Sequence, residues 1–180
     1  DKAIQLNPDF SMAHSNRGNT LTHLGQLDEA LKSLDKAIQL NPDFAEAYNN
    51  RGNALQDLSR LDEAIASYNK AIQLKPDYAE PQYNRHALLL NHDDLMPAIK
   101  CMEKAVDIDP LNMHYRFVLG MLWDYSGDTQ KATTHFDVVE TGPSLYRARL
   151  DAWRYLKSAY KNKKTPAIIG SNIHAFKLGI

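Results

Sequence analysis

The sequence predicts an all-α fold, a solenoid of antiparallel helix hairpins, and three observations support the prediction. Prolines recur every 34 residues, at Pro8, Pro42, Pro76 and Pro110. Residues 1–10 and 35–44 are the same ten letters, DKAIQLNPDF. Apolar and small residues fall at helical spacing in two runs of about a dozen residues per period. A unit of this length cannot bury its own apolar face, so stacked units share one core and present a long surface to partners.

The proline period also predicts the domain organisation. Residues 1–10 are the second helix of a truncated repeat, and three full repeats follow at 11–44, 45–78 and 79–112. A degenerate fourth repeat spans 113–143, a basic amphipathic capping helix spans 144–164, and an apolar tail covers 165–180. Because the chain opens inside a repeat without an initiator Met and stays apolar to its end, we expect a fragment of a larger protein. The tail either caps the array or leads into another domain.

Local signals predict where the helices of each hairpin begin and end. Gly25 and Gly127 lie in the turns between the two runs of a repeat. Asp43 stands where it can cap the next helix, with Glu46 three residues on as its capping-box partner, and Asp77 and Glu80 repeat the pattern. The second helices open with Leu-Asp-Glu-Ala at 27–30 and 61–64, which places carboxylates where the helix dipole favours them. The proline then ends each second helix.

Small residues recur where the two helices of a hairpin must approach closely. The first helix supplies Gly18, Gly52 and Gly120, and the second supplies Ala30, Ala64, Ala98 and Ala132. Large residues at Leu34, Tyr68, Met102 and Phe136 fill the volume between hairpins. This pattern resembles the tetratricopeptide repeat over residues 1–146, and the repeats are similar to those of O-linked N-acetylglucosamine transferases and bacterial tetratricopeptide proteins. The resemblance implies a right-handed superhelix whose first helices line a concave groove.

Five asparagines fall at positions that the resemblance assigns to the groove. Position 6 of the repeat is Asn16, Asn50 and Asn84, and position 9 adds Asn19 and Asn53. Asparagine is a poor helix former, and its amide offers a donor and an acceptor that suit the backbone of an extended peptide. We therefore expect these residues to form a peptide-binding groove. The alternative is that the asparagines solvate an exposed helix face in a recently duplicated array.

The fourth repeat changes the character of the groove. Its equivalent positions include Phe117, Val118, Met121 and Tyr125. One interpretation is that the C-terminal helix or tail packs on these residues, since buried aromatic stripes are usually core. The other is a hydrophobic anchor pocket, formed by Phe117, Met121 and Tyr125, that holds a ligand side chain.

Cationic residues form two further patterns. Arg17, Arg51 and Arg85 recur at position 7, on the packed side of the first helix, where we expect pairing between repeats; an anion site is the alternative. Residues 144–164 hold seven Lys or Arg against the single Asp151, whereas residues 1–143 hold 13 Lys or Arg against 21 Asp or Glu. The basic helix is read as a solvated face, and nucleic-acid binding is the weaker alternative.

No pattern of catalysis is visible. The seven histidines make no i, i+4 pair, Cys101 is alone, and glycine-rich phosphate loops and nucleophile elbows are lacking. We expect no metal, no cofactor and no active site in this chain. No signal peptide or membrane span is predicted, so a cytoplasmic location is the default.

The sequence thus predicts a protein-protein interaction module that binds a peptide or protein segment in its groove, with neither nucleic acid nor membrane as partner. Chaperone-tail capture is not expected, because the clamp that the family uses for it needs lysine where this chain has Ser15, Asn49 and Tyr83. The alternative is a regulatory or substrate-recruiting part of an enzyme, such as a glycosyltransferase or methyltransferase, whose catalytic domain lies elsewhere. The open first repeat, with Ala3, Ile4 and Leu6, also predicts end-to-end self-association.

Overall fold

The computed structural model of the chain describes Ile4, residues 6–91 and residues 94–159. Within these residues all regular secondary structure is helical, which confirms the all-α fold of helix hairpins. The helices are α1 Ser11–His23, α2 Leu27–Leu40, α3 Ala45–Asp57, α4 Leu61–Leu74, α5 Ala79–Asn91, α6 Leu95–Ile108, α7 Met113–Ser126, α8 Thr129–Glu140 and α9 Ser144–Ala159. The capping helix is described as far as Ala159, and the tail 165–180 lies outside the described residues.

The helices begin at the period of the sequence. First helices start at residues 11, 45, 79 and 113, and second helices start at 27, 61, 95 and 129, so each interval is 34 residues. The ninth helix breaks the period because it begins at Ser144 directly after Pro143. A proline is favoured just before or inside the first turn of a helix, where no partner for its nitrogen is needed.

The chain divides into two compact units, residues 1–88 and residues 89–180. In the first unit, α1 packs against α2, α3 packs against α4, and α3 also contacts α1 and α2. Its buried core consists of Ala30, Leu31, Leu34, Ala54, Leu55, Ala64, Tyr68 and Leu88. In the second unit, α7 packs against α6 and α8, and α9 packs against α8 and α7.

Glycine permits the close approach of the two helices in three hairpins. A Cβ added to Gly18 would lie less than 3.0 Å from the Leu34 side chain, and one added to Gly52 would meet the Tyr68 ring in the same way. Gly120 stands in the same relation to the ring of Phe136. The pairing of a small residue in the first helix with a large one in the second is therefore a packing requirement.

The turns inside the first, second and fourth hairpins use left-handed backbone. Gly25 has φ of 72° and Gly127 has φ of 93°, but the equivalent residue of the second hairpin is Ser59, with φ of 59°. A side chain in this conformation costs about 1–2 kcal/mol relative to glycine. The second hairpin therefore tolerates local strain that the first and fourth avoid.

The capping box predicted at Asp43 is wrong. The residue before α3 is Phe44, and no side chain caps this helix. Asp43 lies one residue too early, because its backbone N–H donates to Asn41 Oδ1 at 3.2 Å within the turn. The predicted partner, Glu46, instead accepts a hydrogen bond from Lys75 Nζ at 2.8 Å. This hydrogen bond holds the pKa of the Glu46 carboxyl below its usual value, against the smaller opposing effect of burial.

The recurrent arginines bridge helices. The Arg51 guanidinium donates to Asp35 Oδ1 on α2 at 2.8 Å and to Ser67 Oγ on α4 at 2.8 Å. Each of the two equivalent arginines makes one of these two contacts. Arg17 donates to Ser33 Oγ, and Arg85 donates to Asn69 Oδ1 at 2.5 Å. We call these contacts the arginine bridges. The bonds from Arg51 to Asp35 and from Arg85 to Asn69 join consecutive repeats, as the spacing predicted. The bonds to Ser33 and Ser67 join the two helices of one repeat.

The basic helix α9 is held to its neighbours by buried and charged contacts. Leu150 and Trp153 are buried, and Trp153 Nε1 donates to Asp124 Oδ2 of α7 at 3.2 Å. Lys157 pairs with the other oxygen of the same carboxylate, and Arg154 pairs with Glu140 of α8 at 2.5 Å. Arg154 and Lys157 of α9 therefore form ion pairs inside the second unit, whereas a purely solvated face would leave them unpaired.

Candidate functional site

The candidate site is a row of asparagines along the first helices of the first unit. Asn16 and Asn19 lie on α1, Asn50 and Asn53 on α3, and Asn84 on α5. We call these five residues the asparagine strip. Asn16 is exposed and the other four are half-buried, so the strip lies at the surface without projecting far into solvent.

Amide donors of the strip tie neighbouring first helices together. Asn84 Nδ2 donates to Asn49 Oδ1 and to Asn53 Oδ1 of α3, each at 3.0 Å. Asn50 Nδ2 donates to Ser15 Oγ of α1 at 3.2 Å. These bonds span 31 to 35 residues of sequence, so each links one repeat to the next. The amides at position 6 therefore have a structural role that neither peptide binding nor solvation of a helix face predicts.

A buried tyrosine holds Asn53 of the asparagine strip in place. Tyr68 is fully buried, and its hydroxyl donates to Asn53 Oδ1 at 2.8 Å and approaches Gln56 Oε1 at 3.1 Å. Burial raises the pKa of Tyr68, and the nearby carboxylates of Asp57 and Glu80 raise it further. The hydroxyl thus stays protonated and acts as a donor, which fixes the orientation of the Asn53 side chain.

Asn49 completes the network, although sequence analysis did not place it in the site. It is fully buried, accepts from Asn84 and donates through Nδ2 to Glu80 Oε1 at 3.2 Å. Glu80 Oε2 accepts a further bond from the Tyr78 hydroxyl at 3.0 Å. Position 5 of the repeat, which holds Ser15 and Asn49, supplies the acceptors for position 6 of the following repeat. The sequence signal for these bonds is that positions 5 and 6 are both polar in the first two repeats.

The internal bonds leave a defined set of polar atoms on the strip. Among the described residues, Asn50 Oδ1 and Asn84 Oδ1 accept no hydrogen bond and Asn53 Nδ2 donates none. The side chains of Asn16 and Asn19 make no hydrogen bond within the same part of the chain. Asn50 and Asn84 therefore each offer an acceptor, and Asn53 a donor, on side chains that internal bonds already orient.

The predicted hydrophobic anchor lies in the second unit and is mostly buried. Phe117 is 1 % exposed and Met121 is 3 % exposed, whereas Tyr125 remains 40 % exposed. The Phe117 ring packs against Phe136 with centroids 6.4 Å apart. Burial of this kind favours packing inside the unit over an open pocket for a ligand side chain. The structure does not bring these residues together with the asparagine strip in one unit.

The described residues contain neither a metal-binding cluster nor a helix that could span a membrane. No group of three His, Cys, Asp or Glu there is arranged to hold a metal ion. Cys101 is buried. No helix in the same part of the chain combines the length and apolar character needed to cross a membrane. Lys161, Lys163 and Lys164, which extend the basic pattern in the sequence, lie outside the described residues.

Comparisons with known proteins agree with this architecture. Three family models match the chain: one described as TPR repeat over residues 18–59, and two described as tetratricopeptide repeat over residues 45–78 and 1–32. A search of curated protein sequences found no match.

Solved structures with the same fold include several tetratricopeptide proteins. YrrB, whose structure is titled as having an unusual peptide-binding site, is 24 % identical, with a TM-score of 0.71 over 94 % of this chain and 87 % of that chain. MamA from Desulfovibrio magneticus RS-1 is 25 % identical, with a TM-score of 0.63 over 76 % and 78 %. The first TPR of Spaghetti (RPAP3), solved with an HSP90 peptide, is 22 % identical, with a TM-score of 0.61 over 65 % and 93 %.

The hairpins with a 34-residue period, the glycine pairings and the family matches lead to one conclusion. The chain contains tetratricopeptide repeats, which the family models match over residues 1–78.

Proposed function

We propose that the chain is a protein-interaction module that binds an extended peptide segment of a partner across the asparagine strip. The observation that carries the proposal is the set of oriented amide atoms without internal partners at Asn50, Asn53 and Asn84. A peptide backbone carries one N–H and one C=O per residue, and the strip offers acceptors and donors to both. Two structural neighbours support a peptide as the class of ligand: YrrB, which has an unusual peptide-binding site, and the first TPR of Spaghetti (RPAP3), which was solved with an HSP90 peptide.

The spacing of the helices suits an extended backbone. Packed helices lie about 8–10 Å apart, and an extended chain rises about 3.3 Å per residue. Every third residue of a bound peptide would therefore meet the next first helix. Each amide contact contributes about 1 kcal/mol net, so three in register would tighten binding by roughly a hundredfold.

The proposed ligand differs from a chaperone tail. Groove positions of the first unit carry Glu46 and Glu80 and no lysine, and residues 1–88 hold nine Lys or Arg against twelve Asp or Glu. A peptide with several carboxylates would meet like charge here. We therefore expect a neutral or basic segment as the partner.

A titration tests the proposal. A peptide would be selected from a random displayed library against the full chain, and its affinity for Asn16→Ala, Asn19→Ala and wild type compared by calorimetry. Asn16→Ala is the cleanest variant, because its side chain makes no hydrogen bond in the described residues. We expect a three- to tenfold loss from a bond of about 1 kcal/mol. Tyr155→Ala, at an exposed site in the second unit, is the matched control.

Results that contradict the proposal are equally specific. Failure to select any peptide, or affinity unchanged in Asn16→Ala and Asn19→Ala together, would remove the strip from the account. A loss of equal size in Tyr155→Ala would show that binding occurs elsewhere.

A second proposal concerns the start of the first unit. Leu6 is 78 % exposed, and Phe10 and Met12 are also exposed, whereas Ala3 lies outside the described residues. We propose that this apolar edge mediates end-to-end association of two copies. Sedimentation should show a mass that rises with concentration in wild type and stays monomeric in Leu6→Lys. A wild-type mass that is independent of concentration would contradict this.

The role of the module in a larger protein is also a proposal. The same peptide-binding surface would recruit substrates if the chain were joined to a catalytic domain, such as a glycosyltransferase or methyltransferase. Reading the coding sequence on both sides of these 180 residues decides between a separate adaptor and an enzyme part.

A further inference from the structure

The arginine bridges define a binding position for a guanidinium group. Arg51, at position 7 of its repeat, reaches an acceptor at position 25 of the preceding repeat, Asp35, and an acceptor at position 23 of its own repeat, Ser67. Arg85 uses position 25 of the preceding repeat through Asn69, and Arg17 uses position 23 of its own through Ser33. Both positions hold acceptors for Arg51, whereas the bonds of Arg17 and Arg85 each use one of them, and position 23 of the third repeat is Cys101.

The fourth repeat has polar residues at both positions without the arginine. Position 7 is Leu119, position 25 of the preceding repeat is Glu103, and position 23 is His135. These three residues line a cavity of about 450 Å³ in the second unit. Leu119 and Val106 are buried at its floor, and charged side chains of α6 are exposed at its rim. The cavity therefore lies where the arginine bridge lies in the first three repeats.

Two polar groups of this cavity, on Glu103 and His135, have no ion-pair or hydrogen-bond partner among the described residues. His135 Nδ1 is buried and makes no hydrogen bond there. Glu103 is in no ion pair in the same part of the chain, although its counterpart Asp35 binds Arg51. Burial lowers the pKa of His135, and the Arg116 guanidinium lowers it further, so the imidazole is neutral at neutral pH and its buried Nδ1 lacks a hydrogen-bond partner.

Nearby cations do not exclude a guanidinium. Lys100 and Lys104 line the cavity, and Lys104 is 3.7 Å from Asp107. Lys32 and Lys36 hold the same repeat positions beside Asp35, where Arg51 nevertheless binds at 2.8 Å. The remaining cation, Arg116, donates to the Pro110 carbonyl oxygen at 2.6 Å.

We propose that the cavity binds a guanidinium group supplied from outside the chain, held between Glu103 and His135 in place of the missing arginine. Such a group comes either from an arginine side chain of a bound protein segment or from a free arginine-like molecule. A planar guanidinium with several donors fits one carboxylate and one imidazole nitrogen better than an ammonium does.

Ligand titrations test the chemistry and the source. The full chain, labelled for NMR, is titrated with arginine amide and with a pentapeptide that has one arginine between glycines; the matched probes carry citrulline, which has the same shape without the charge. We expect saturable shifts at Leu119 and His135 with both arginine probes and none with citrulline. Tighter binding of the pentapeptide would assign the group to a protein segment, and equal binding would assign it to a small molecule.

Two substitutions in the protein test the proposed guanidinium site. Glu103→Gln should weaken arginine binding about tenfold, because a charge-assisted hydrogen bond is lost. Leu119→Arg should restore the bridge, abolish binding of both arginine probes and leave the unfolding temperature within about 3 °C of wild type or raise it. Leu122→Arg, at an equally buried leucine on the same helix, is the control, and we expect it to lose about 10 °C.

The proposal is overturned by any of three results. These are no shift with either arginine probe, shifts of equal size with citrulline, and a loss of stability in Leu119→Arg as large as that in Leu122→Arg.

Discussion

At the scale of single residues, position 6 of the repeat shows how one side chain can serve both structure and binding. The donor atoms of Asn50 and Asn84 hold neighbouring first helices together, while their carbonyl oxygens accept nothing among the described residues. An asparagine amide can do this because its two ends have opposite hydrogen-bonding character. The internal bonds already fix these side chains, so less side-chain entropy is lost when a peptide binds.

The two roles of the strip separate on mutation. We predict that Asn84→Ala lowers the free energy of unfolding by about 1–3 kcal/mol, since it removes two hydrogen bonds and leaves the buried Asn49 with one partner fewer. Asn16→Ala should change the free energy of unfolding by less than about 0.5 kcal/mol, as expected at an exposed site. Urea unfolding monitored by circular dichroism measures both. Equal losses in the two variants would contradict the assignment of bridging bonds to Asn84.

At the scale of helices and turns, repetition of the sequence does not make every hairpin equally relaxed. The first and fourth hairpins turn at Gly25 and Gly127, and the second turns at Ser59 with the same left-handed backbone. The second repeat therefore keeps the left-handed turn although it has serine in place of glycine, the residue that adopts this conformation most easily.

The strained turn predicts a stabilising substitution. Ser59→Gly should raise the free energy of unfolding by about 0.5–1 kcal/mol. Glycine avoids the steric penalty of a Cβ atom at φ of 59°, and this penalty is larger than the additional chain entropy that glycine loses on folding. The reverse change, Gly25→Ser, should lower it by a similar amount. Thermal unfolding of the two variants checks the signs, and a loss of stability in Ser59→Gly would contradict the assigned strain.

Helix α9 contacts α7 through one carboxylate. Asp124 accepts from Trp153 Nε1 and pairs with Lys157, and its side chain is 7 % exposed. We predict that Asp124→Ala costs about 1–3 kcal/mol and shifts tryptophan emission to longer wavelength, since the buried Trp153 indole loses its acceptor and α9 loosens. Asp137→Ala, at an exposed site on α8, is the control and should do neither.

At the scale of the whole molecule, the proline period predicts the fold class, and the structure and family matches confirm it. The close approach of Gly18, Gly52 and Gly120 to large residues was also predictable, because a solenoid must repeat its tightest contact. The bridging bonds of Asn50 and Asn84 were not predictable from periodicity. They depend on how one repeat sits on the next, and a helical pattern within a repeat does not contain that information.

Two other expectations show the same limit. The cap at Asp43 is wrong by one residue, because the turn uses Asn41 as its acceptor and moves the start of the helix to Ala45. The vacant arginine position in the fourth repeat is visible in the sequence as Leu119, but its acceptors and its cavity are visible only once α6 and α8 are packed. The spacing of the arginines predicts that they pair between repeats, but the partner atoms of such contacts require the structure.

The central claim is that the asparagine strip recognises peptide backbone, and N-methylation of a bound peptide tests it most directly. The selected peptide would be compared with variants N-methylated at single backbone nitrogens, with affinities measured against the full chain. We predict losses of about tenfold at nitrogens three residues apart and little change at those between, because the helices meet every third residue. Affinity that is insensitive to every N-methylation but sensitive to side-chain changes would contradict the claim.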